Sequence, residues 1–278
     1  MPRLTVALFA CLASLALATA VSAQGISNLV ISGNQATANL DLPGVTADLA
    51  LSFEQVVGLS AANLGLSAQL VDPRDPSLIS RLPPGGLASV PGAFPVLVRV
   101  QPPPSGALSF SGVYSFSIHT PNLEFVAGTP LRLFSAEDGA AFSDISDAMG
   151  SGSYRVRGTK GTFSEFLIVA DGRPQASVVN QKFDAVEGLL STYAAAIPGS
   201  LRIDLEQRVQ AARSAYHAGD VAGAIKDVDG FAATVLSNSG TAIPNVWRAS
   251  GDLADVAGLL RAAAATLRFS LSLAPALH

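Results

Sequence analysis

Beyond residue 11 this chain of 278 residues contains no cysteine. Once its first residues are removed, neither a disulfide nor thiol chemistry is open to it, and the fold must rest on packing. Histidine is nearly as scarce, occurring only at His119, His217 and His278, too thinly spread for the clustered spacing of a zinc site. Three lysines stand beside fourteen arginines, and no basic patch carries interleaved aromatics, which argues against a nucleic-acid partner. Charged residues make up 14% of the chain and hydrophobic ones 49%, a composition that excludes disorder. There is no Gly-x-Ser-x-Gly elbow, His-Glu-x-x-His helix, phosphate-binding glycine loop or Gly-x-Gly-x-x-Gly turn, so no cofactor and no standard catalytic motif is called for.

What is present begins with residues 1–23. Arg3 supplies a positive start, Leu4 to Ala20 is an apolar run, and Val21-Ser22-Ala23 is a small-residue cleavage site before Gln24. This pattern predicts a secretory signal peptide and an exported protein, periplasmic or extracellular. Leu8-Phe9-Ala10-Cys11 is similar to a lipoprotein cleavage box, so acylation at Cys11 is the alternative. Leu253 to Leu277 is apolar but is interrupted by Asp255, Arg261 and Arg268. Each of those charges costs about 2.5 to 3.5 kcal/mol on insertion, so no membrane span is expected after the signal.

From Gln24 to Gly172 there are 12 acidic and 7 basic residues, a net of −5, whereas Arg173 to His278 is balanced. The acidic half reads as strands: Leu29 to Ile31, Ala36 to Leu42 and Ala47 to Phe53 are short runs separated by Gly, Asn and Asp. Leu108 to Thr120 alternates most clearly. Phe110, Tyr114, Phe116 and Ile118 share one face, and Ser111, Ser115, Ser117 and His119 share the other. Nine of the seventeen prolines lie between Asp72 and Pro104, which predicts ordered loop around one strand at Val96 to Val100. Asp171-Gly172-Arg173-Pro174 reads as a boundary.

The balanced half reads as helices. Phe183, Val186, Leu190, Tyr193 and Ile197 recur at steps of three and four, as do Leu201, Leu205, Val209, Ala212 and Tyr216. Gly219 ends that second helix and Asp220 caps the next, whose face carries Ala224, Val228, Phe231 and Val235 before Gly240. A last helix reads Leu253, Val256, Leu260, Ala263, Leu267 and Leu271. Each helix carries one apolar stripe, and burying the stripes against one another makes a bundle. The expected fold is α+β in segregated parts: an antiparallel β-sandwich over residues 24–172, a linker at 173–178, and a three- or four-helix bundle over 179–278.

Few side chains could carry chemistry. His119 shares a strand face with Ser115 and Ser117, and neighbours two apart on a strand form a nucleophile and base only with help from another strand. His217 sits opposite the apolar stripe of its helix. Glu137, Asp138, Asp144 and Asp147 cluster around a turn, and Asp138, Asp144 and Asp147 are the residues a calcium ion would use. Their spacing departs from the twelve-residue calcium loop, and turns recruit Asp for backbone reasons, so no metal is assigned. Asp204 and Arg208 form a surface i,i+4 pair.

Leu131-Arg132-Leu133-Phe134, Tyr154-Arg155-Val156 and Phe163-Ser164-Glu165-Phe166 resemble the last strands of β-sandwich modules in secreted bacterial proteins. Residues 201–271, with Gly219-Asp220 and Gly240 between the helices, resemble a FIMAH-type helical domain. That resemblance implies an accessory module without catalytic residues. The whole chain resembles uncharacterised secreted proteobacterial proteins grouped under domains of unknown function. The expectation is a non-catalytic exported protein that binds another protein or a cell-envelope component; a hydrolase assembled across strands near His119 is the alternative.

Overall fold

A computed structural model describes residues 25–137 and 139–273. The signal segment, Cys11, Asp138 and His278 lie outside the described residues. The chain is α+β: two antiparallel sheets come first and most of the helix comes after residue 174.

Alternation in the sequence becomes strand wherever one face can be buried. β1 (Ile26–Ser32), β2 (Gln35–Leu42) and β3 (Val45–Val57) form a meander. The buried residues of β3 are Val45, Ala47, Leu49, Leu51 and Phe53, at every second position. A short helix α1 (Ala61–Leu64) leads to β4 (Leu66–Leu70). The proline-rich stretch holds α2 (Pro76–Ile79), with Pro76 in its first turn where no donor is lost, then β5 (Ala88–Ser89) and β6 (Val96–Val100), the strand expected there. Next come β7 (Ser109–Glu124), β8 (Leu131–Ala136), β9 (Ser143–Asp144), β10 (Ser146–Gly150), β11 (Ser153–Lys160) and β12 (Glu165–Asp171).

One sheet runs β1-β2-β3-β7-β11-β10 and the other β4-β6-β12-β8-β9, with β5 beside β12. They share a core in which Phe116 of the first meets Phe166 of the second at 4.3 Å between rings. The motif Phe163-Ser164-Glu165-Phe166 buries both phenylalanines, and Glu165 is buried between Arg81 and Arg99.

The helices are α3 (Gln175–Thr192), α4 (Gly199–His217), α5 (Val221–Asn238) and α6 (Val256–Leu273). Their expected stripes form a second core of Phe183, Val186, Leu205, Val209, Val228, Phe231, Leu260 and Leu267 among others. Gly219, at φ +84°, closes α4: its N–H donates to Tyr216 O at 3.0 Å and that of Asp220 to Ala215 O at 2.9 Å. These are the paired bonds of a left-handed glycine cap. Asp220 then accepts from Gly223 N at 2.8 Å and starts α5.

Three expectations are corrected. The linker at 173–178 is largely helix, because Pro174 opens α3 directly and Arg173 is pinned to Asp171 at 2.7 Å. The last helix starts at Val256 rather than Leu253, because Asp255 caps it through Gly258 N at 2.7 Å. And α6 has two buried faces. Besides its stripe it buries Gly258, Ala262, Thr266 and Ser270, spaced by four, and it contacts β7, β10 and β11. Gly161 and Gly258 permit that approach: a Cβ on Gly161 would lie 2.5 Å from Leu259 N, and one on Gly258 would lie 2.6 Å from Gly112 O. α6 is long and apolar enough to cross a membrane, yet more than half of it is buried inside the protein.

The connection before α6 also joins the sheet. Residues 246–248 form β13 (Val246–Arg248), which pairs with β7 at Ser109 to Ser111, beyond the point where β11 leaves that edge. Trp247 thereby stacks on Phe110 at 5.4 Å and meets Phe163 edge-on at 4.7 Å.

Candidate functional site

The outward face of the seven-stranded sheet carries a chain of side-chain hydrogen bonds across five strands. Asn28 Nδ2 of β1 donates to Asn39 Oδ1 of β2 at 3.0 Å, and Asn39 Nδ2 donates to Asp48 Oδ1 of β3 at 2.8 Å. Asp48 Oδ2 lies 3.2 Å from Nδ1 of His119 on β7, and His119 Nε2 lies 2.6 Å from Ser153 Oγ on β11. The cross-strand register makes this row: Asn39 faces Asp48, Asp48 faces His119, and His119 faces Arg155.

An ionised carboxylate only accepts, so Asp48 assigns the proton to Nδ1 of a neutral His119, leaving Nε2 to accept from the Ser153 hydroxyl. The row borders an open hollow of about 410 Å³ with Thr37, Asn39, Asp48, His119 and Arg155 around it and the small Ala50 and Ser117 between them. At its β1 end Asn28 has φ +50°, the one non-glycine residue with positive φ among the described residues, beside a register shift between Ser27 and Val30. Asparagine tolerates this conformation better than most residues, and bulges of this kind re-aim side chains.

His119 therefore keeps the outward face read from the alternation, but its partners are Asp48 and Ser153, not Ser115 or Ser117. Ser117 reaches only Ala50 O at 3.5 Å. The acidic turn residues are also engaged elsewhere. Asp147 is held by Arg157 at 2.7 Å and by Thr159. Asp144 is buried and accepts from Lys182 Nζ at 2.7 Å and Ser146 N at 2.8 Å. The two carboxylates answer two different cations, and a calcium ion there would have to displace Lys182 and Arg157. His217 is exposed on α4 beside Tyr216, and Asp204 and Arg208 pair at 3.0 Å.

A second polar cluster joins sheet to helices. Lys182 of α3, buried, also donates to Thr266 Oγ1 of α6 at 2.6 Å, and that hydroxyl donates to Ser146 O at 3.0 Å. Burial holds the Lys182 ammonium below the usual lysine range, and Asp144 opposes the shift. Near the start of α6, burial pushes Asp255 up to about 7 against its bond from Gly258 N. Its second oxygen has no partner among the described residues. Arg261 pairs with Glu54 at 2.6 Å, and the hydrogen bond from Arg261 lowers the Glu54 carboxyl.

Compared with known proteins, residues 8–274 match the model of one family, described as "Family of unknown function (DUF6689)". No curated protein matches the chain.

Proposed function

The chain belongs to the DUF6689 family of unknown function, and for it we propose a non-catalytic exported protein whose open polar sheet face binds a hydroxyl-rich component of the cell envelope. One observation carries the reading: the Asn28–Asn39–Asp48–His119–Ser153 row is pre-organised by its own hydrogen bonds yet opens to solvent, with the Asp48 side chain 65% exposed. Fixed donors and acceptors beside a shallow hollow suit a ligand with many hydroxyl or amide groups. The test is co-sedimentation of the purified chain with isolated envelope polysaccharide. Asp48→Ala with His119→Ala abolishes retention; retention equal to that of the unaltered chain refutes the reading.

The hydrolase reading has one specific observation in its favour, the order acid, His Nδ1, His Nε2, hydroxyl, which is that of a serine triad. Against it, the acid of such a triad is buried, whereas Asp48 is the most open member here. Labelling of Ser153 by a fluorophosphonate, lost in Ser153→Ala, would support the hydrolase.

The finer architecture goes with the first reading. Two sheets sharing one core support a β-sandwich, and the glycine and aspartate caps at Gly219-Asp220 support a FIMAH-like bundle. The charged and apolar pattern of residues 1–23 supports cleavage before Gln24 and export. Mass spectrometry of the mature N-terminus distinguishes Gln24 from a lipidated Cys11.

A further inference from the structure

A cleft of about 380 Å³ opens between the end of β11 and helices α3 and α6, within the range of sites that hold small molecules. Its helical walls are largely apolar, with Ala185, Gly188 and Leu189 from α3 and Leu259, Ala262 and Ala263 from α6, beside the polar Gln181, Thr192 and Thr266. Four charged side chains reach its lining, Asp144, Lys160, Arg173 and Lys182. Lys182 is matched by Asp144 at 2.7 Å and Arg173 by Asp171 at 2.7 Å. Lys160 remains. Among the described residues no side chain stands within hydrogen-bond or ion-pair distance of its amine, and Glu137 bears on it only from farther away. Burial lowers its pKa to about 8, so it is still mostly cationic at neutral pH. The cleft thus pairs a largely apolar channel with one positive charge that has no hydrogen-bond or ion-pair partner among the described residues.

We propose that this cleft binds a monoanionic amphiphile, a free fatty carboxylate of medium chain length, with its carboxylate on the Lys160 amine and its chain between α3 and α6. This site is separate from the polar sheet face and does not depend on how that face functions. The ligand matches the cleft on both counts, since a dianion would leave a buried negative charge unpaired and a neutral alcohol would leave the lysine unpaired.

The experiment is isothermal titration of the full chain with decanoate, decanol and decyltrimethylammonium. The expected result is saturable one-to-one binding of decanoate, at least tenfold weaker binding of the other two, and at least tenfold weaker decanoate binding by Lys160→Met, with recovery in Lys160→Arg. A second variant tests the channel apart from the charge. A Cβ on Gly188 meets no atom within 4 Å, so Gly188→Leu is expected to fold with an unchanged circular dichroism spectrum and to lose decanoate by filling the cleft. Decanoate binding unchanged by Lys160→Met, or by Gly188→Leu, overturns the proposal, as does decanol binding as tightly as decanoate. Binding to phosphatidylglycerol vesicles without binding of soluble decanoate overturns it too, because the source would then be a membrane surface.

Discussion

Two clusters that each join a carboxylate, a nitrogen group and a hydroxyl stand in this molecule with opposite burial. Asp48, His119 and Ser153 lie in a row on an open sheet face, whereas Asp144, Lys182 and Thr266 are buried where α3 and α6 meet β9 and β10, at the wall of the cleft. Exposed pairs gain little because water competes for both partners and salt screens them. A buried pair gives little net stability when intact, but losing one partner strands a charge out of water, and that is expensive. The buried cluster is thus a fastening between sheet and helices, while the open row can be spent on a ligand with little loss of stability.

The largest expected break is on the buried side. Lys182→Met leaves Asp144 buried and unpaired and is expected to cost about 3 to 5 kcal/mol in chemical denaturation; adding Asp144→Asn should return part of it. A cost below about 1 kcal/mol would mean that water reaches Asp144. Phe231→Ala, in the helical core beside Val228 and Leu267, is expected to cost about 3 to 5 kcal/mol by cavity formation. It sharpens the comparison by showing whether packing within the helices matters as much as the polar fastening.

Asp255 gives an effect that depends on pH. Its folded pKa of about 7 stands above the usual unfolded value near 3.9. Between those values the unfolded chain has released the proton that the folded chain keeps, so stability is present below about pH 4 and is lost as pH rises to about 7. By linkage the loss amounts to about 4 kcal/mol. Asp255→Asn keeps an oxygen for Gly258 N and removes the slope; the difference between the two proteins across pH 4 to 8 measures it, and parallel curves would place Asp255 in water. The smallest effect belongs to the open row: His119→Ala should change stability by less than about 1 kcal/mol while removing ligand retention.

The comparison also separates what a single sequence discloses from what it conceals. The alternation of Phe110, Tyr114, Phe116 and Ile118 and the stripes at Leu205, Val209, Val228 and Phe231 are local periodicities, and they reappear as buried faces. The same alternation places His119 on the outward face. Its partners were hidden because Asp48 and Ser153 lie 71 and 34 positions away, and cross-strand register is not written in a single strand. Lys182 precedes Phe183 of the apolar stripe with nothing local to mark it, and its role depends on Asp144, 38 positions away. One further signal is local: Gly258, Ala262, Thr266 and Ser270 repeat every four residues, the mark of a second helix face made for close contact. Trp247 could not be assigned to the sheet, since a three-residue strand has too little length to show a period.

The most direct measurement is mass spectrometry of envelope polysaccharide recovered after incubation with the purified chain, alongside the fraction of protein bound. The expected result is retention of the unaltered chain, loss of retention in Asp48→Ala with His119→Ala, and a ligand of unchanged mass. New hydrolysis products that vanish in Ser153→Ala would contradict it and make the open row an active site.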